Sequence, residues 1–239
     1  MKAMKGYGEI SRDRIGQTGE RGGGTMSEKM MENNRVQVMG EIVSRLSYSH
    51  ETYGERFYMM DISVCRTSGT KDYIPIMVSE RLMDVTGDHI GKLICVEGQF
   101  RSYNRHEERR NRLVLSVFAR EAGFVDGTGM EGGGETNQVF LDGYICKEPT
   151  YRKTPLGREI ADVLLAVNRP YGKSDYIPCI CWGRNARLAS RLNVGDEVMA
   201  AGRIQSRGYM KKLSETEAEE RVAYEVSISM METVGCAGE

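Results

Sequence analysis

Tryptophan is nearly missing from this chain, histidine is scarce, and neither sign of charge is in excess. Lysine and arginine together number 33 against 34 acidic residues, so no overall basic character draws the chain toward nucleic acid. Any such binding must rest on local placement of charge. No apolar run approaches the roughly 18 residues of a membrane-crossing helix, and the first residues lack the apolar stretch of a secretory leader. The three histidines, His50, His89 and His106, stand at no metal-ligand spacing. The six cysteines (Cys65, Cys95, Cys146, Cys179, Cys181 and Cys236) form no C-x-x-C pair. The first five sit in strand-like runs and read as free thiols of a reducing cytoplasm. Gly132-Gly133-Gly134 is followed by no Lys-Ser/Thr, so it is no phosphate loop, and no serine or cysteine occupies a nucleophile elbow. These absences argue against an enzyme, a metal and a cofactor.

What is present is concentrated between Ile160 and Trp182. Val163, Leu165 and Val167 alternate as on a buried strand face, turn residues follow from Asn168 to Ser174, and a second strand runs from Tyr176 to Trp182. On that strand Ile177, Cys179 and Cys181 share one face, and Tyr176, Pro178, Ile180 and Trp182 share the other. Tyr176 and Trp182 thus lie on one side, roughly 20 Å apart at strand rise, with Arg169, Lys173 and Arg184 near. Flat aromatic faces beside cations make a stacking platform for unpaired bases. The plainer reading is a sandwich strand buried on both faces.

The chain divides into two copies of one unit. Asn34–Ile42 lies over Asn137–Ile145 at an offset of 103, Asp72-Tyr73-Ile74-Pro75 lies over Asp175-Tyr176-Ile177-Pro178 at the same offset, and Gly98 lies over Gly202 after a slip of one. Residues 1–33 have little hydrophobic patterning and read as disordered. Their Arg21-Gly22-Gly23-Gly24 reads either as a small nucleic-acid contact or as the translated trace of a ribosome-binding site, with translation starting at Met26. Residues 34–122 form the first copy, 123–136 a glycine-rich linker, 137–234 the second copy and 235–239 a short tail.

Each copy repeats one order: a first strand with an early glycine, a hairpin, a short helical segment (Glu80–Val85; Arg184–Leu192), and two further strands. Five strands with a helix between the third and fourth is the order of an OB-fold barrel. The expected class is therefore all-β, two tandem five-stranded OB-fold barrels. The ligand-gripping loops are expected at Ser47–Arg56 and Asn104–Arg112, and at Thr150–Arg158 and Met210–Arg221.

The second copy resembles bacterial single-stranded DNA-binding proteins. The phrases are Asn137–Gly143, Pro155-Leu156-Gly157, Leu165–Arg169, Asp175–Pro178, Cys181-Trp182-Gly183 and Gly202–Tyr209, in family order. The resemblance implies base stacking on Tyr171, Tyr176, Trp182 and Tyr209. It implies phosphate contacts from Arg152, Lys153, Arg169, Lys173, Arg203, Arg207, Lys211 and Lys212. The first copy resembles the family more weakly: Tyr73 stands in for Tyr176, Ser79 replaces Trp182, and Tyr103 is shifted from Tyr209. Its candidate contacts are Tyr73, Tyr103, Arg101, Arg105 and Arg109. The resemblance also implies single-stranded DNA as partner, with roles in replication, recombination or repair. A homodimer presenting four barrels follows from it too. The acidic, aromatic tip that recruits repair and replication proteins in this family is missing from Gly235–Glu239. The rival reading is a tandem-barrel scaffold of a restart or conjugation complex that binds DNA or RNA weakly.

Overall fold

The computed structural model describes residues 33–107, 110–125, 137–212 and 218–235. Met26 and residues 1–32, most of the expected linker (126–136), Arg109 and the last four residues, with Cys236, lie outside the described residues. Among those described, the first copy contains β1 (Asn34–Ile42), β2 (Ser47–Thr52), β3 (Glu55–Cys65), β4 (Lys71–Ser79), β5 (Leu93–Glu107) and β6 (Arg110–Phe124). The second contains β7 (Asn137–Lys153), β8 (Glu159–Asn168), β9 (Ser174–Trp182), α1 (Arg184–Ala189), β10 (Glu197–Lys212) and β11 (Ala218–Thr233). No helix among them is long and apolar enough to cross a membrane.

Each copy closes as an OB-fold barrel. In the second copy β7 pairs with both β8 and β10, β8 with β9, and β11 joins β10 antiparallel and β9 parallel. The first copy repeats this: β1 meets β3 and β5, β3 meets β4, and β6 joins β5 antiparallel and β4 parallel. Inward positions are apolar at every second residue, as in Ile74, Ile76 and Val78 of β4 and Val163, Leu165 and Val167 of β8. Gly98 and Gly202 sit at matching bulges. A Cβ there would stand 2.1 Å from the Phe118 carbonyl oxygen and 2.2 Å from that of Ser227, so the slip that aligns these glycines marks a packing requirement.

Four expectations change. Copy one has six strand segments and not five, because β2 (Ser47–Thr52) is added after β1 ends at Ile42, where in copy two the single strand β7 runs on to Lys153 with bulges at Lys147 and Thr150. Glu80–Val85 forms a turn, with Leu82 N–H donating to the Ser79 carbonyl, and no helix. Its matching segment is α1, where alanines 186 and 189 bury against the barrel; β-branched Val85 and Thr86 before Gly87 favour helix less. The expected loops are mostly two-stranded ribbons, since β2–β3, β5–β6 and β7–β8 stay paired almost to their turns. Asn33 is ordered, its Nδ2 donating to the Asn168 carbonyl at 2.8 Å, and β6 extends to Phe124.

The two copies share one sheet. β1 pairs antiparallel with β7, with Val36 opposite Val139 and Gln37 opposite Gln138. Val36 thus faces its own repeat equivalent, so a pseudo-twofold axis passes through this pair, as in an isologous dimer folded within one chain.

Candidate nucleic-acid interface

The junction between copies is built from two matching clamps. Asp175 is 1% exposed. It accepts from Arg169 Nε at 2.6 Å, from the second Arg169 nitrogen, and from the Ser102 backbone N–H at 2.5 Å. Arg169 also donates to the Ser102 carbonyl at 2.8 Å, and Ser102 Oγ accepts from the Tyr176 N–H at 2.7 Å. Across the axis, buried Asp72 accepts from Arg66 at 2.6 Å twice and from the Ser206 N–H at 2.8 Å, while Ser206 Oγ accepts from the Tyr73 N–H at 3.0 Å. A buried carboxylate needs a paired cation and filled lone pairs, and Arg169 meets that need. Its guanidinium is bonded to Asp175 and Ser102, so a structural role accounts for this cation without a phosphate. The recurrence of both Arg66/Arg169 and Asp72/Asp175 at the 103 offset was the available sequence signal.

The clamps hold the two outer faces side by side. In copy two, alternation along β9 leaves Tyr176 46% and Trp182 40% exposed, while Ile177 and Cys181 are fully buried. Ile180 lies beside Ser227, and Ser227 beside Arg203. Arg203, Arg207, Tyr209 and Lys211 on β10 therefore share the face of Tyr176 and Trp182. Ile160, opposite Trp182, is in turn opposite Arg152, which adds Arg152. Of the carboxylates on this face, Asp162 accepts from Arg152 at 2.8 Å, Glu225 from Gln205 at 2.6 Å, and Glu219, opposite Lys211, from Arg221 at 2.6 Å; exposed Glu148 lies near Asp162 and Glu225. The face thus combines half-exposed rings and cations.

The remaining candidates scatter. Tyr171 is 99% exposed at the β8–β9 turn, with φ of +65°, and exposed Lys173 is beside it. Lys153 is opposite Glu159 on the β7–β8 ribbon, one position out of phase with Arg152. Lys212 ends β10, and its side chain, like that of Arg105, lies outside the description. In copy one Tyr73 and Tyr103 are 49% and 40% exposed. Arg101 lies over the Phe118 ring, 4.0 Å from its centroid. Burial, then the neighbouring Arg169, pushes the Arg101 pKa down to about 10.

Position-by-position reasoning missed three side chains of copy one. His50 stacks on Phe57 at 5.0 Å and 11°, and Phe57 meets Phe118 at 5.6 Å. Phe57 is directly opposite Ser79, the residue aligned with Trp182. The aromatic absent from β4 is supplied by the strands on either side of it. Among the described residues no cluster of His, Cys, Asp or Glu could hold a metal ion. The buried thiols are far from reactive: burial pushes Cys181 up to about 12, and Cys179 well above its ordinary value.

Comparison with known proteins converges on one group. The model of the single-strand binding protein family matches residues 136–234. The chain is 34% identical over 109 residues to a single-stranded DNA-binding protein of Oceanobacillus iheyensis, covering 43% of this chain and 67% of that one. It is 26% identical over 215 residues to the single-stranded DNA-binding protein of Thermus thermophilus, covering 79% of this chain and 81% of the relative. The solved structure of the single-stranded DNA binding protein from Thermus aquaticus superposes with a TM-score of 0.65 at 22% identity, covering 86% of this chain and 95% of that chain. Across such curated relatives the chain spans from about half to about four fifths of their length.

Proposed function

The chain belongs to the single-strand binding protein family, and we propose on that footing that it binds single-stranded DNA with little sequence preference. It would coat strands exposed in replication, recombination or repair. The family is one of binding proteins, and this member is no enzyme. The observation that carries the reading is the outer face of copy two. Half-exposed Tyr176 and Trp182 lie across one sheet from Arg203, Arg207 and Tyr209, and three carboxylates on that face, Asp162, Glu219 and Glu225, are engaged by neighbouring side chains. Bases leave their own stack for the rings while phosphates meet the arginines and release counterions. Tyr171 and Lys173, projecting from the turn, extend the contact.

The assembly we infer is a homodimer with four barrels. Supporting it, the outer side of the shared sheet carries Met39, Phe140, Met199 and Met230, only half-buried although the sheet lies between two barrels. Sedimentation at micromolar concentration distinguishes one chain from two.

Trp182 is the single tryptophan, so its fluorescence reports copy two. Titration with a thymine homopolymer is expected to quench it to saturation, less so at high salt. Trp182→Ala is expected to weaken binding by about 1–3 kcal/mol while leaving the fold intact. Absence of quenching together with no gel shift would sink the reading in favour of a scaffold.

A further inference from the structure

Copy one carries a second row of rings that no matching of positions between the copies reveals. The strand order on this side is β5-β6-β4-β3-β2, and the row crosses it: Arg101 on β5, Phe118 on β6, Phe57 on β3 and His50 on β2. At the spacing of neighbouring strands it extends roughly 19 Å. The register places these side chains on one face. Phe118 is opposite Gln99 and beside Met77, Met77 is opposite Met59, and Phe57 is two positions from Met59. β4 contributes no ring but makes the row continuous. Ser79 is small and buried, and its hydroxyl donates to Glu55, so Phe57 and Phe118 close over it from the two adjacent strands.

We propose that this row is a second stacking surface for a single strand of DNA that continues from copy two, an inference that rests on the reading of copy two as the strand-binding face. Two observations select that occupant. The first is charge. Arg101 caps the row as a guanidinium plane, and Arg120 adds to the positive field around it. Of the carboxylates on this face of β3, Glu55 is engaged by Ser79 and sits 3.5 Å from Arg81, and Asp61 is half-buried, which raises its pKa. Nucleobases stack on rings and on guanidinium planes alike. The second is continuity. Ser102, next to Arg101, is bonded to Asp175 and to the Tyr176 backbone. The row therefore ends where the platform of copy two begins, and one strand can pass from Tyr176 onto Arg101 without leaving protein. Half-buried Phe57 and Phe118 form the base of the row, and exposed His50 offers its free face at the far end.

The experiment uses the full chain and two thymidine oligonucleotides. One has about 8 nucleotides, within the span of a single barrel, and the other about 30, enough for two. The variants are His50→Ala, which removes an exposed ring, and Phe57→Leu with Phe118→Leu, which keeps the apolar filling and removes the rings. Trp182 fluorescence follows the short oligonucleotide on copy two, and a gel shift follows the long one. The expected result is wild-type quenching by the short oligonucleotide, with affinity for the long one reduced about three- to tenfold by His50→Ala and further by the double variant. Unchanged affinity for the long oligonucleotide overturns the proposal, and so does an equal loss for both lengths. A wild-type chain that binds neither length removes the reading of copy two, and this proposal with it. A change in self-association with DNA affinity intact reassigns the row to an interface between chains.

Discussion

The two copies use the same barrel and distribute their aromatics differently. Copy two places Tyr176 and Trp182 on a single strand, β9. Copy one keeps Tyr73 on the matching strand, has Ser79 in place of the tryptophan, and gathers Phe57 and Phe118 from the strands on either side. A sheet face is a two-dimensional surface, and its stacking capacity depends on which rings share it. The column of an alignment in which a ring stands matters less. Copy one is therefore altered in construction more than it is stripped.

The largest expected effect tests whether the copies are equivalent at their junction. Removing a buried partner strands the charge left behind, at about 3–5 kcal/mol. Asp175→Ala orphans Arg169 and the Ser102 N–H; Asp72→Ala orphans Arg66 and the Ser206 N–H. Denaturant unfolding of each variant is expected to show losses of this size and near equality. A marked difference would break the pseudo-twofold comparison and show that one clamp dominates the docking of the barrels.

A smaller effect sharpens the comparison at the turns. Tyr53 in copy one and Tyr171 in copy two both hold positive φ, +52° and +65°, each before a glycine, and both are fully exposed. A bulky residue in that region costs roughly 1 kcal/mol that asparagine largely avoids. Tyr53→Asn and Tyr171→Asn are each expected to gain up to about 1 kcal/mol in thermal or denaturant unfolding. Only Tyr171→Asn is expected to weaken the short oligonucleotide on copy two. A gain in stability without loss of affinity at Tyr171 would make its strain unrelated to binding.

The barrel order, the repeat and the outward pair Tyr176/Trp182 were legible in the sequence because each is local. Period-two alternation, turn residues and a recurring offset all lie within reach of neighbouring positions. What was not legible depends on contacts across long separations. The β1–β7 pairing that fuses the barrels leaves no mark on either strand's alternation. Arg169 looked like a free cation beside aromatics because Asp175, six residues on, read only as a family phrase. Its burial arises from Ser102 in the other copy. The row from His50 to Arg101 draws on four strands, and no window of sequence contains it. The missing helix of copy one shows the opposite failure, since analogy with α1 outweighed the poor helix formers Val85 and Thr86.

The smallest expected effect concerns a carboxylate that copy two replaces with an apolar residue. Asp61 sits on the outer face of β3, opposite Pro75, where the matching position of copy two is Leu164. Burial raises its pKa above the ordinary carboxylate value, because the charged form loses water and gains no cation. A carboxyl whose folded pKa lies above its unfolded pKa binds its proton more tightly in the folded chain. Stability therefore falls as pH rises from the unfolded value of about 4 through the raised folded value. Below that window the carboxyl is neutral in both states and costs nothing. Asp61→Asn, which keeps the shape and removes the charge, is expected to melt with the parent near pH 3 and slightly above it near pH 7. A difference that is the same at both pH values would assign the effect to packing. A lower melting point at pH 7 would mean that the carboxylate has a cationic partner and that copy one uses this position as copy two does not.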